Sequence, residues 1–344
     1  MAVPDSLSAW REFVGHRPTT PDLLIPEELA SLSPDAKLDY DQQRIAWLAA
    51  DVVLETADTK ALERQTRIIL ARNAAQTATA RRGLALSGAA GLGKSTAALL
   101  IGKRHEKFMR TKTGRNDANY APVVYAVVPP GTTPKMMMLA FANWLGLVMR
   151  SKNTAQDITE QVVAVLRDLG TTLVIVDEVH NLKTNSSIGA EAASALKVFG
   201  ERLDATFIYA GIDLLTSDLF AGHMGRQIKA RMIVHEMSPY CYGTQAHRDD
   251  WVELVLGLES LLPLAKHREG SLEQHATYLY DRTGGSIGSL RALLSDAAIA
   301  AIQEGSEKID RTLLDSIKTD RAADEHHAAA PPRPRKPKRL KQAG

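Results

Sequence analysis

The chain has 344 residues, 44% of them hydrophobic and 24% charged, which fits an ordinary globular protein of about two domains. Its single cysteine, Cys241, rules out a disulfide framework and a thiolate zinc cluster, so a reducing, intracellular setting is expected. A net charge of +2 says nothing about nucleic acid, no apolar run approaches the roughly 18 residues of a membrane span, and Met1 to Trp10 lacks the pattern of a secretory signal.

Residues 1–37, rich in Pro, Ser and Thr, read as an N-terminal arm with short helical pieces. Leu38–Leu54 and Lys60–Gln76 follow at helical spacing, with Ile45, Leu48 and Val52 on one face. Short β-prone runs then appear at Leu84–Ser87, Pro122–Val128, Leu173–Val176, Thr206–Ala210 and Met232–Glu236, most of them separated by long helical stretches. Crossovers of that length predict an α/β fold built on a five-stranded parallel sheet covered on both faces. After Pro239 the strands stop, and helices are expected near Gln245–Leu262, Ser271–Thr283, Ile287–Gln303 and Asp310–Lys318. The expected domains are the arm, an α/β core at 38–240, a helical lid at 241–320 and a basic tail at 321–344. In that tail Arg333, Arg335, Lys336, Lys338, Arg339 and Lys341 stand among prolines without an acidic residue, so disorder is expected.

Gly88-Ala89-Ala90-Gly91-Leu92-Gly93-Lys94-Ser95 satisfies G-x-x-x-x-G-K-[ST] at every specified position. Glycines let the backbone curl until several N–H groups face one anion, and the helix that opens at Lys94 adds its partial positive end. Lys94 supplies a mobile charge for the β- and γ-phosphates, and the Ser95 hydroxyl is a hard oxygen ligand for Mg2+. Thr96 completes the expected nucleotide-binding set. A β run precedes the loop and good helix formers follow it, as this mechanism requires. The nucleotide expected is ATP.

Leu173-Val174-Ile175-Val176-Asp177-Glu178 is a buried-strand pattern ending in two carboxylates. A P-loop protein presents Asp177 from such a strand to the Mg2+ shell, while Glu178 can polarise an attacking water as general base. The pair predicts hydrolysis of ATP to ADP and phosphate rather than simple holding.

With Pro122–Val128 lying between the two motifs, the arrangement resembles the AAA+ branch of P-loop ATPases. That resemblance implies a polar sensor near Gly211-Ile212-Asp213, where Ile212 is apolar and the role falls to Asp213 or to no side chain. It implies an arginine finger before the fifth strand, for which Arg226 and Arg231 both stand as candidates. It also implies a second sensor, Arg291, in the lid sequence Gly288-Ser289-Leu290-Arg291.

More narrowly, Leu86-Ser87-Gly88…Gly93-Lys94-Ser95 with Val176-Asp177-Glu178-Val179-His180-Asn181-Leu182, Phe207-Ile208-Tyr209-Ala210-Gly211 and the lid run Thr283-Gly284-Gly285-Ser286-Ile287-Gly288-Ser289-Leu290 are similar to the TniB-like transposition ATPases, relatives of TnsC and MuB. The resemblance covers about residues 38–318. It implies a cytoplasmic, nucleoid-associated prokaryotic regulator that assembles with ATP as a homo-oligomer or filament on double-stranded DNA. Such a regulator selects target DNA and recruits or stimulates a DDE transposase. A helicase loader, a secretion or defence switch, and a nucleotide-bound scaffold without turnover stay open beside it.

For DNA, Lys103, Lys107 and Arg110 share one helical face after the P-loop, and Lys183 follows the Asp-Glu strand. An ordinary solvated helix explains the same charges. The tail reads equally as a partner-binding or a solubilising segment.

Overall fold

Every β-prone run becomes a strand. The computed structural model describes residues 3–50, 54–76, 81–182, 187–214 and 229–319. Strands β1 (Gly83–Ser87), β2 (Val123–Val127), β3 (Leu173–Asp177), β4 (Thr206–Gly211) and β5 (Met232–Glu236) pair in the order β2-β3-β4-β1-β5, each pair parallel. The strands β1, β3 and β4 are buried at every residue, as continuous apolar runs inside a two-faced sheet should be, whereas β5 at one edge is only half-buried. Register sets Ser87 beside both Gly211 and Glu236, and Asp177 beside Val127, so the strands' carboxyl ends share one edge of the sheet.

In chain order, the helices before Pro239 include α1 (Leu7–Gly15), α2 (Pro26–Ser31), α3 (Pro34–Ala49), α4 (Ala57–Ala74), α5 (Lys94–Thr113), α6 (Pro134–Trp144), α7 (Ala155–Asp168) and α8 (Ser187–Arg202). Their starts are marked in sequence. Thr133 caps α6 ahead of Pro134, and Thr154 with Asp157 forms a reciprocal capping box on α7. Near the end of α4, Asn73 Nδ2 donates to Arg82 O at 2.7 Å and to Thr206 Oγ1 at 2.9 Å, fastening that helix to the chain entering β1 and to β4. In the predicted arm, α1 inserts Trp10 into the core with no exposed surface. Its ring stacks 6.3 Å from Tyr125, and its Nε1–H donates to the buried Glu106 at 3.3 Å.

The chain divides into two compact units, one built on Leu32–Ser238 with the segment up to Asp22, the other on the chain from Pro239 onward with Leu23–Ser31. The second unit is helical: α9 (Gln245–Glu259), α10 (Ala276–Thr283), α11 (Ile287–Glu304) and α12 (Arg311–Ser316). Trp251, Leu279, Leu290 and Ala297 are fully buried in it. Buried Glu259 accepts from His267 Nε2 at 2.8 Å, Ser271 Oγ at 3.1 Å, and the Gly270 and Leu272 backbone N–H groups at 2.9 Å, which ties down the loop between α9 and α10. Among the described residues no single helix is long and apolar enough to cross a membrane.

Candidate active site

Three strand ends build the site. After β1 the chain turns through Gly88, Gly91 and Gly93, with φ of 148°, 75° and 84°, before α5 begins at Lys94. Gly88 admits no other residue: a Cβ there would lie 2.3 Å from Met237 O. No side chain caps α5; its first turn offers main-chain N–H groups and the positive end of the helix dipole instead.

Lys94 is 8% exposed and its Nζ donates to Ala89 O at 2.5 Å, across the loop it follows. Burial holds its ammonium below the ordinary lysine range, while Asp177, Glu178 and Asp213 pull in the opposite direction. The structure thus brings together the glycine loop, Lys94 and the two predicted carboxylates, and adds Asp213 from the tip of β4, at φ 46°.

Asp177 is 2% exposed. Its Oδ1 accepts from the Glu178 N–H at 2.8 Å and its Oδ2 from the Tyr125 hydroxyl at 2.5 Å. Burial, with Asp177 alongside, pushes the Tyr125 phenol far above its ordinary range, so it remains a donor. Glu178 is more open, at φ 57°, with His180 Nε2 3.2 Å from its Oε2. Ser87 links the strand ends: its Oγ accepts from the Leu214 N–H at 3.1 Å and its O from the Met237 N–H at 2.8 Å. Ser95 and Thr96 lie half-buried in the first turn of α5.

Other predicted residues stand apart. Arg231 begins the turn into β5, where its carbonyl accepts from the Gly83 N–H at 3.0 Å. Since Gly83 opens β1, Arg231 stands at the sheet edge opposite Lys94 of its own chain, 3.7 Å from Glu201. Arg291 lies in α11 of the second unit, half-buried. Lys103 Nζ donates to His16 O at 2.7 Å and sits over the Phe13 ring, and Arg110 binds buried Glu106 and Tyr120 O. Those two charges therefore serve the fold as well. Lys107 and Arg17 both press on Lys103, whose ammonium is held low first by burial and then by these like charges. Lys183, Arg226 and the basic stretch 333–341 lie outside the described residues.

The family model described as "TniB: Bacterial TniB protein" matches residues 44–242, more than half of the chain and the stretch that holds the glycine loop and both carboxylates. The chain belongs to the TniB family. Among solved structures this TniB protein is similar to the ORC1 protein of Aeropyrum pernix in complex with DNA (TM-score 0.57, 17% identity, 78% of this chain and 65% of that one). It is also similar to the ORC2 protein of the same organism in ADPNP–ADP complexes (0.57, 16%, 79% and 66%) and to Cdc6p from Pyrobaculum aerophilum (0.52, 19%, 75% and 65%). The TniB chain spans 65–66% of these neighbours' length, a little under two thirds. At this identity the likeness is one of fold: the P-loop fold of the AAA+ ATPases, with its five-stranded parallel sheet and following helical unit. No curated protein matches the chain.

Tyr125, His180 and Ser87 are site residues that sequence reasoning assigned no role. His180 carried a signal as part of the Asp-Glu-Val-His run and Ser87 as part of Leu86-Ser87-Gly88, whereas Tyr125 carried none.

Proposed function

We propose that this TniB protein is an ATP-hydrolysing, DNA-binding regulator of transposition. The observation that carries the nucleotide part is a buried ammonium, Lys94, set in a glycine loop and influenced by three carboxylates. The residues fit a magnesium nucleotide. The loop begins at Gly88, where a Cβ would collide with Met237 O, Lys94 is a cation kept from solvent, and Asp177 is a carboxylate fixed by two donors with lone pairs to spare.

In this reading main-chain N–H groups of residues 88–96 and Lys94 bind the phosphates, and Ser95 and Asp177 would hold Mg2+, which neutralises charge on the β- and γ-phosphates. Glu178, more exposed than Asp177 and next to it, takes the proton of the attacking water. Arg231, or Arg226, completes the site of a neighbouring copy, and Arg291 senses the γ-phosphate. Assembly then depends on nucleotide state. Membership of the TniB family supports a biological role in which the protein binds double-stranded DNA as an oligomer, selects the target and recruits a DDE transposase. The neighbour solved with DNA is a further support. Lys107 and Lys183 are the first phosphate contacts to substitute, because Lys103 and Arg110 also hold the fold.

The test pairs turnover with DNA affinity. Glu178→Gln should lower ATP turnover about 100-fold or more, and wild-type affinity for duplex DNA should rise when ATP is added. Equal turnover would remove Glu178 from the mechanism. Turnover with no ATP-linked DNA affinity would favour a protein-directed machine such as a loader or a secretion or defence switch, and ATP retained without phosphate release would favour a scaffold.

A further inference from the structure

A single turn of 3-10 helix, Val179–Asn181, follows the Asp-Glu pair and folds a histidine back onto the carboxylate before it. His180 Nε2 lies 3.2 Å from Glu178 Oε2. The other ring nitrogen, Nδ1, accepts a hydrogen bond from the Ile212 backbone N–H at 3.2 Å. A nitrogen that accepts carries no proton, so the neutral ring holds its proton on Nε2, the atom facing Glu178. The tip of β4 thereby selects the tautomer that can donate to the carboxylate.

Two features of the backbone keep this contact in place. Gly211 leaves room for the turn that carries the ring: a Cβ there would stand 2.8 Å from a Leu214 methyl and 3.2 Å from His180 N, with Nδ1 in ordinary contact at 3.4 Å. Glu178 has φ 57°, a left-handed conformation that is unfavourable for a residue with a side chain and persists only where the surroundings impose it. The backbone conformation aims the Glu178 side chain, and the imidazole meets it.

We propose that His180 is a positioning residue that orients the Glu178 carboxylate and couples it to the end of β4. The proposal rests on the reading of Glu178 as the base that activates water. Ile212 has no polar side chain to offer where a sensor is expected, but its main-chain N–H reaches Glu178 through the imidazole. A displacement of the β4 tip changes the bond at Nδ1, turns the ring and moves the carboxylate.

The experiment is steady-state ATP turnover by the full chain, with His180 replaced by Ala, Gln or Asn, and with His180→Ala also placed in a Glu178→Gln background. His180→Ala should lower kcat about tenfold and leave KM within about twofold, because the contact acts on the base and not on the phosphates. A glutamine amide nitrogen reaches the place of Nε2, so His180→Gln should recover most of the lost kcat. An asparagine oxygen reaches only the place of Nδ1, so His180→Asn should not. Once Glu178 is Gln, His180→Ala should add no further loss in single-turnover measurements. Rescue by Asn instead of Gln would mean that His180 only staples the turn to β4, and an undiminished kcat in His180→Ala would remove it altogether; either overturns the proposal. Should Glu178→Gln itself turn over ATP like the wild type, the reading of Glu178 fails first, which the same data distinguish.

Discussion

On α5, three turns beyond Lys94, His105 is 9% exposed with Nε2 2.8 Å from Thr172 Oγ1. Burial, helped by Lys112, lowers its imidazole from the ordinary 6.5 to about 4. Between those values the unfolded chain binds a proton that the folded chain does not, so stability rises with pH across the window. The contribution is complete above 6.5 and is lost as pH falls towards 4. The full loss is about 3 kcal/mol. Urea unfolding at about pH 7 and about pH 5 checks it: His105→Gln should lose less stability on acidification than the wild type. Equal losses would assign the acid sensitivity to other groups. Residues of this kind show the limit of reading a sequence one residue at a time. Asp177 announces itself as the polar end of an apolar run, but its partner Tyr125 lies 52 positions away on a neighbouring strand and looks like any aromatic in a strand. Only the pairing of β2 with β3 brings the two together.

At the scale of elements, strands were the most legible feature. The predicted run Met232–Glu236 is β5 residue for residue, and the other four differ by one or two positions at their ends. Alternating strands with long connections demand a parallel sheet, and buried parallel strands must be apolar throughout, so the pattern has little freedom. Less was legible in the basic face of α5. Lys103, Lys107 and Arg110 recur at helical spacing as a nucleic-acid face would, but periodicity does not reveal that His16 and Glu106 take up two of the charges. Nor does a Pro- and Ser-rich arm with short helical pieces reveal that one of them, α1, is built into the core. Its Trp10 fills a slot between Tyr125 and Gly102, where a glycine lets the ring approach. Trp10→Ala should therefore destabilise the sheet-bearing unit by about 3–5 kcal/mol, measured as a lower urea midpoint at unchanged slope. A change under about 1 kcal/mol would show that α1 is dispensable to the core.

Taken whole, the molecule is an AAA+ fold of the TniB family in two units, one carrying the glycine loop and carboxylates and the other a helical bundle that contains Arg291. The fold class and the meeting of the glycine loop with two carboxylates were legible in advance for one physical reason. A loop that wraps an anion needs glycines at fixed spacing, and a carboxylate at the end of an apolar strand is unfavourable to bury unless hydrogen bonds satisfy it, as they do at Asp177. The residues proposed to act between copies, Arg231 or Arg226, rest on resemblance alone, because a finger is defined by a neighbour and not by its own surroundings. The assembly, DNA engagement and transposase recruitment proposed above all presuppose that the Gly88–Ser95 loop grips a triphosphate. Calorimetric titration of ATP into wild type and Lys94→Ala tests that claim directly. Removing a buried ammonium from the phosphates should weaken binding at least about tenfold, while an affinity equal to that of the wild type would contradict the account.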